Sequence, residues 1–180
     1  AAMCEPIACC LHGIDLCGIK AGDTVMIIGG GTIGMIMLQL AQLSGACRIV
    51  MLEPNKSRFE LARKLGADLV IDPFSENVRD LLREHGMGNI RVVIECVGAP
   101  ESVKSAIEYT GKAATVMIFG LTGPDDSIPY QPFEAFKKEL TIKTSFVNPN
   151  TQGRARDIIT SGKLNIIDLI SDYVKLDHIE

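Results

Sequence analysis

The run Thr24-Val25-Met26-Ile27-Ile28 leads directly into Gly29-Gly30-Gly31-Thr32-Ile33-Gly34, and a stretch that is apolar apart from Gln39 and Gln42 follows to Leu43. A short, continuously apolar segment bounded by turn residues reads as a parallel strand buried on both faces. The segment from Thr32 to Leu43 reads as a helix apolar on nearly every side, and so as one buried between layers. Between them, the glycines match G-x-G-x-x-G in the strand-to-helix context that gives this pattern meaning. Gly29 permits the tight turn. Gly31 lets the backbone approach a pyrophosphate with no Cβ in the way. Gly34 lets the helix pack closely on the strand. Backbone N–H groups around Thr32 and Ile33 then point at phosphate, aided by the helix dipole. A tight turn without a ligand is the competing reading, and the flanking elements argue against it.

The alternation repeats along the chain. Residues 5–18 form a helix with Pro6 in its first turn and Gly18 at its end. Arg48–Leu52 is a second strand, and Asn55 caps a helix that stops at Gly66. Asp68–Ile71 is a strand, and Ser75 starts a helix ending near Gly86. Arg91–Glu95 is a strand, and Pro100 opens a helix that ends at Gly111. Ala114–Phe119 is a strand, 131–138 a short helix, and Leu140–Thr144 a sixth strand. Six strands alternating with helices predict an α/β fold with a doubly wound, six-stranded parallel sheet of the Rossmann type. Beyond Ser145 the pattern changes. Asn148 to Thr151 reads as a turn and helix cap, followed by a helix to Gly162 and a short segment at 166–170. Asp172–Lys175 reads as a strand, and a new helix is expected from Asp177.

Two further groups bear on binding. Glu53 ends the second strand nineteen positions beyond Gly34. An acid at about that distance accepts hydrogen bonds from the adenosine ribose. The same carboxylate would repel a 2′-phosphate, which favours NAD over NADP; Lys56 and Arg58 nearby oppose this. A surface acid at a strand end is the plainer alternative. The crevice at the topological switch point should be lined by Glu95, Cys96, Val97 and Gly98, where the chain leaves the fourth strand. Phe119, Gly120 and Leu121 after the fifth should join them, at the ribose and nicotinamide end. Ordinary strand-end turns are as good a reading for any one of these residues taken singly.

Composition excludes several classes. A net charge of −4 offers no basic footprint for nucleic acid. No apolar run is long enough to span a membrane, and no signal-peptide pattern is read at the N-terminal end. The six cysteines, at positions 4, 9, 10, 17, 47 and 96, form no C-x-x-C pair. They read as free thiols of a reducing cytoplasm.

Together, several segments resemble the medium-chain dehydrogenase/reductase superfamily, in particular its zinc-dependent sorbitol, threonine and butanediol dehydrogenase branches. They are Cys4-Glu5-Pro6-Ile7-Ala8, Lys20-Ala21-Gly22-Asp23-Thr24-Val25, the glycine motif, Leu61-Ala62-Arg63-Lys64-Leu65-Gly66-Ala67-Asp68, Val93-Ile94-Glu95-Cys96-Val97-Gly98 and Lys138-Glu139-Leu140-Thr141-Ile142-Lys143. The resemblance covers essentially the whole chain. It implies that residues 1–20 are a linking helix from a GroES-like catalytic domain absent here. Residues 21–147 would be the dinucleotide-binding unit, and 148–180 a return segment. It places Glu5 at the position that approaches a catalytic zinc, Arg58 beside the adenosine, and Ser145-Phe146 beside the nicotinamide. A solvent-exposed helix-start acid is the plainer reading of Glu5 within this chain. The polyol branch commonly carries an Arg-aromatic pair after that Phe, whereas Val147-Asn148 stands here, which leaves the substrate open.

The resemblance implies an oxidoreductase that, when intact, moves hydride between NAD and an alcohol or polyol, with zinc as the Lewis acid that favours the alkoxide. The alternatives are a non-catalytic NAD-binding module and a zinc-free reductase of the same superfamily. No metal is expected on this chain alone. The sixth strand, at the sheet edge, is expected to join a homodimer or tetramer.

Overall fold

The computed structural model describes residues 2–178. Helix α1 (Cys4–Cys17) precedes the alternation β1 (Thr24–Ile28), α2 (Thr32–Leu43), β2 (Arg48–Leu52), α3 (Phe59–Lys64), β3 (Leu69–Ile71), α4 (Val78–Glu84) and β4 (Val92–Glu95). It continues through α5 (Pro100–Glu108), β5 (Thr115–Ile118), α6 (Pro132–Lys138), β6 (Thr141–Thr144) and α7 (Gln152–Thr160). The strands form one sheet in the order β3-β2-β1-β4-β5-β6, and every pairing is parallel. The chain winds outward from β1 to β3, crosses over through α4, and winds outward again from β4 to β6. The carboxyl ends of β1 and β4 therefore lie side by side with connections leaving in opposite directions. That is the switch point where such sheets leave a crevice.

Period-2 alternation explains why the strands are apolar throughout. Val25 and Ile27 join one core with α1, α2 and Ala62 of α3. Met26 and Ile28 join the other with Val78 and Leu82 of α4 and Ala106 of α5. A strand covered on both faces has no residue to spare for water. Helix α2 buries every residue from Gly34 to Ala41; its one polar residue in that run, Gln39, pairs with the backbone of Asn165 in both directions.

Helix α1 extends the first core below the sheet. It ends on Gly18, which adopts the left-handed conformation (φ 66°) of a helix stop. Lys143 of β6 donates to the terminal carbonyl of Leu16 at 2.7 Å. Helix α7 packs on α1 through Thr151, which donates to the Ala8 carbonyl at 2.8 Å, and through an ion pair between Arg154 and Asp15.

Several expectations are corrected. Helix α4 begins at Val78 rather than Ser75, because Asn77 caps the Asp80 amide. Ser75 instead donates to Asp72, whose carboxylate also accepts the Phe74 amide and closes a turn before the helix. Asp172–Lys175 makes no strand. Tyr173 and Val174 are exposed, and the segment pairs with none of the six strands of the sheet. From Asp177 the expected helix is a 3-10 turn over Leu176–His178, and Ile179 and Glu180 lie outside the described residues. The helix capped by Asn55 is present in two pieces, a 3-10 turn Lys56–Arg58 running into α3.

Ile27 is fully buried at the centre of the sheet, whereas Ile167 is 72% exposed. Denaturant titration should show Ile27→Ala losing about 2–5 kcal/mol of stability. Ile167→Ala should stay within about 0.5 kcal/mol.

Candidate functional site

The carboxyl ends of β1, β2, β4 and β5 gather most of the residues singled out by the sequence. Gly29 leaves β1 with φ 100° and donates to the Leu52 carbonyl at 2.8 Å. Gly31 is the residue before α2, with φ −73° and ψ −175°. A Cβ built on Gly31 meets nothing within 4 Å, whereas one on Gly34 would lie 1.8 Å from the Gly29 carbonyl oxygen. The two glycines thus have opposite reasons for being there. Gly34 is needed for α2 to lie against β1, and Gly31 borders open space in front of the helix. The amides of Thr32 and Ile33, in the first turn of α2, have no intrahelical acceptor and add to the positive end of the helix dipole. An anion fits this arrangement.

Glu53 follows β2 and is only 3% exposed. Its Oε2 accepts from the Gly30 amide at 2.7 Å and its Oε1 from the Asn55 amide at 2.7 Å, and Arg58 Nη1 stands 3.3 Å from Oε2. The carboxylate is therefore built into the glycine turn rather than standing free on the surface. A Cβ on Gly30 would lie 2.8 Å from Oε2. The sequence reading missed Gly30; the signal was a glycine at the variable second position of the motif, where any residue would serve if nothing lay behind it.

Cys96, Val97 and Gly98 follow β4, and the Cys96 amide donates to the Ile28 carbonyl at 2.9 Å, tying this loop to the end of β1. Val97 reaches the glycine turn: a Cβ on Gly29 would be 2.8 Å from its Cγ2. Gly120 packs on Gly98, and Leu121 is 94% exposed at the rim. Phe119 departs from expectation. Its ring packs against Gly13 of α1, beneath the sheet end, because a position that lacks Cβ leaves room for the ring. Ser145 and Phe146 follow β6, three places from β1 in the sheet. Phe146 is 83% exposed and the Ser145 hydroxyl is buried without a partner. They are not brought against the glycine turn. Glu95, the first residue of the segment expected to line the crevice, closes β4 and is fully buried.

All six thiols are free. Burial pushes Cys17 up to about 12. Burial first, then the neighbouring Cys10 and Glu95, holds Cys96 well above the usual thiol range. Thiols so raised stay protonated and are poor nucleophiles. Glu5 is exposed at the start of α1, where its Oε1 accepts from Asn148 at 3.1 Å and from the Cys9 thiol at 3.0 Å. Among the described residues no three His, Cys, Asp or Glu side chains cluster as a metal site, and no helix is long and apolar enough to cross a membrane.

Comparison with known proteins agrees with this architecture. The family model described as zinc-binding dehydrogenase matches residues 32–160. Sorbitol dehydrogenase of Pongo abelii is 31% identical over 98% of this chain and 50% of its own length. D-arabinitol dehydrogenase 1 of Uromyces fabae is 28% identical over 98% and 52%. Among solved structures, a protein assigned as a zinc-binding dehydrogenase from Sinorhizobium meliloti 1021, bound to NADP, superposes with a TM-score of 0.89 at 38% identity. That match covers 94% of this chain and 51% of the other. The 2R,3R-butanediol dehydrogenase of Bacillus subtilis gives a TM-score of 0.85 at 25% identity, covering 94% and 48%. The chain spans about half the length of the relatives it matches. By its sheet, its glycine turn and these matches, the chain belongs to the zinc-binding dehydrogenase family.

Proposed function

We propose that this chain is the nicotinamide dinucleotide-binding domain of a zinc-dependent alcohol or polyol dehydrogenase. Residues 21–147 form the binding unit, 1–20 the linking helix and 148–180 the return segment. The observation that carries the reading is the open space at Gly31, in front of the unpaired amides of α2, with a buried acid beside it at Glu53. When bound, the cofactor supplies or accepts hydride in exchange with an alcohol or ketone of the intact enzyme. The chain's own part is to hold it. The amides at Thr32 and Ile33 take the pyrophosphate, with Gly29 and Gly34 fixing the turn and helix behind it. Glu53 and Arg58 take the adenosine ribose. Cys96, Val97, Gly98, Phe119, Gly120 and Leu121 form the wall toward the nicotinamide, with Ser145 and Phe146 at its far side. For Phe119 this contact runs through its backbone, since the ring is committed to α1.

Zinc does not fit the described residues, which offer no complete donor set. Glu5 contributes only beside ligands from elsewhere in an intact enzyme. Free thiols suit a reducing, cytoplasmic setting. Strand β6 leaves three of its four residues exposed at the sheet edge, which supports pairing with a second copy.

Three measurements test these assignments. Gly31→Val should fold normally, since its backbone angles suit any residue and a Cβ there meets nothing. Its branches would occupy the phosphate position, and calorimetric NADH affinity should fall by more than about tenfold. Unchanged affinity in the folded variant overturns the reading.

The wild-type protein should bind NADH more tightly than NADPH, because a 2′-phosphate beside Glu53 brings like charges together. Arg58, paired with Glu53, reduces this preference without reversing it. Titrating both cofactors should show Glu53→Ala weakening NADH binding and narrowing the gap. Equal wild-type affinities would assign control to Arg58 instead.

Ile142 lies on β6 and is 39% exposed. If β6 joins two copies, sedimentation should find a dimer or tetramer in the wild type and smaller species in Ile142→Lys. A wild type that stays monomeric at high concentration refutes the pairing.

A further inference from the structure

Glu95 is fully buried where β4 ends. In the sheet it lies opposite Ile28 of β1 and Ile118 of β5. All the donors to its carboxylate come from one side. Oε1 accepts from the Val97 amide at 2.6 Å and the Gly98 amide at 2.9 Å, and Ser102 Oγ lies 2.8 Å away. Oε2 is buried with no hydrogen-bond partner. Among the described residues no cation pairs with it. Its main-chain carbonyl accepts from the amides of Phe119 at 3.0 Å and Gly120 at 2.9 Å. One residue therefore ties down both loops of the crevice wall, one through its side chain and the other through its backbone.

The loops it holds meet backbone to backbone. Gly98 has φ 79°, and a Cβ there would lie 2.5 Å from the Leu121 carbonyl oxygen. A Cβ on Gly120 would lie 2.3 Å from the Gly98 amide nitrogen and 2.6 Å from Glu95 Oε2. Val97, whose amide is held by the carboxylate, carries the wall across to Gly29. A buried polar atom without a hydrogen-bond partner is costly. The turn before α5 needs only a neutral capping side chain, which a Ser or Asn provides. A native carboxylate with one oxygen left unsatisfied calls for a reason beyond folding.

We infer that Glu95 is a positioning residue for the nicotinamide half of the cofactor, acting by holding the loops Val97-Gly98 and Gly120-Leu121 at a fixed spacing. The inference rests on the dinucleotide-binding reading above. In a doubly wound sheet each half takes one mononucleotide across the switch point. The glycine turn and Glu53 belong to the β1–β2 half, so the β4–β5 loops face the other nucleotide.

The test compares NADH with ADP-ribose, which keeps the adenosine and both phosphates but lacks nicotinamide. Glu95→Ala should raise the Kd for NADH about tenfold or more while changing that for ADP-ribose less than about twofold. Glu95→Gln keeps an acceptor at the Oε1 position and should recover most of the loss. Equal weakening of both probes, or of neither, overturns the inference, as does failure of Glu95→Gln to recover any NADH binding. If Glu95→Ala does not fold, Ser102→Ala removes one of the three donors and should show the same split at smaller size; equal effects on the two probes there overturn it too. A wild-type protein that binds neither probe overturns the dinucleotide reading itself, a result distinct from wild-type binding without a split in the variants.

Discussion

The contact between α2 and β1 governs the rest of the molecule. Gly34 lies so close to the Gly29 carbonyl that no side chain fits between them. That approach sets the depth at which α2 lies on the sheet. It therefore also sets how its buried face, from Gly34 to Ala41, meets α1 on one side and the strands on the other. It leaves the first amides of α2 at the mouth of the crevice, without acceptors of their own. The same close packing that anchors the core thus exposes the groups that recognise an anion.

Around that contact the charged groups are few and committed. Glu53 follows β2 and Glu95 ends β4, the neighbours of β1 on either side, and both are buried. Each accepts backbone amides from the loop that follows it, so each strand end fixes its own exit. A polar loop over an apolar sheet is mobile unless its amides are satisfied. Here the satisfaction comes from two carboxylates rather than from further ladder bonds.

The sheet was legible because its signals are local and redundant: unbroken apolar strands, glycines after helices, and one motif in its proper context. The signals that failed depend on competition or distance. Ser75 and Asn77 both cap helices well, and only the prior claim of Asp72 on Ser75 decides between them. Asp172–Lys175 has strand-like residues, but a strand needs a partner, and pairing across the fold leaves no local signal. The glycine motif and Glu53 were readable by spacing. Their coupling through Gly30 was not, since residues twenty-three apart meet only once β1 and β2 pair. The direction of the Phe119 ring was hidden for the same reason: it depends on a missing side chain at Gly13, more than a hundred residues earlier.

If Glu53 takes the ribose as proposed, its second task in the turn bears on how cofactor preference can evolve. A residue that met only the ribose could be exchanged freely, and lineages could drift between the two nicotinamide cofactors by single steps. Here the carboxylate also satisfies the amides of Gly30 and Asn55. Exchanging it for a smaller neutral residue strands the buried Gly30 amide, at a cost of about 1–3 kcal/mol, and leaves the exposed Asn55 amide to water. Arg58 loses its partner at the same time. A switch of preference in this scaffold is therefore a coordinated change, with a replacement acceptor for the turn arriving before or together with the loss of the acid.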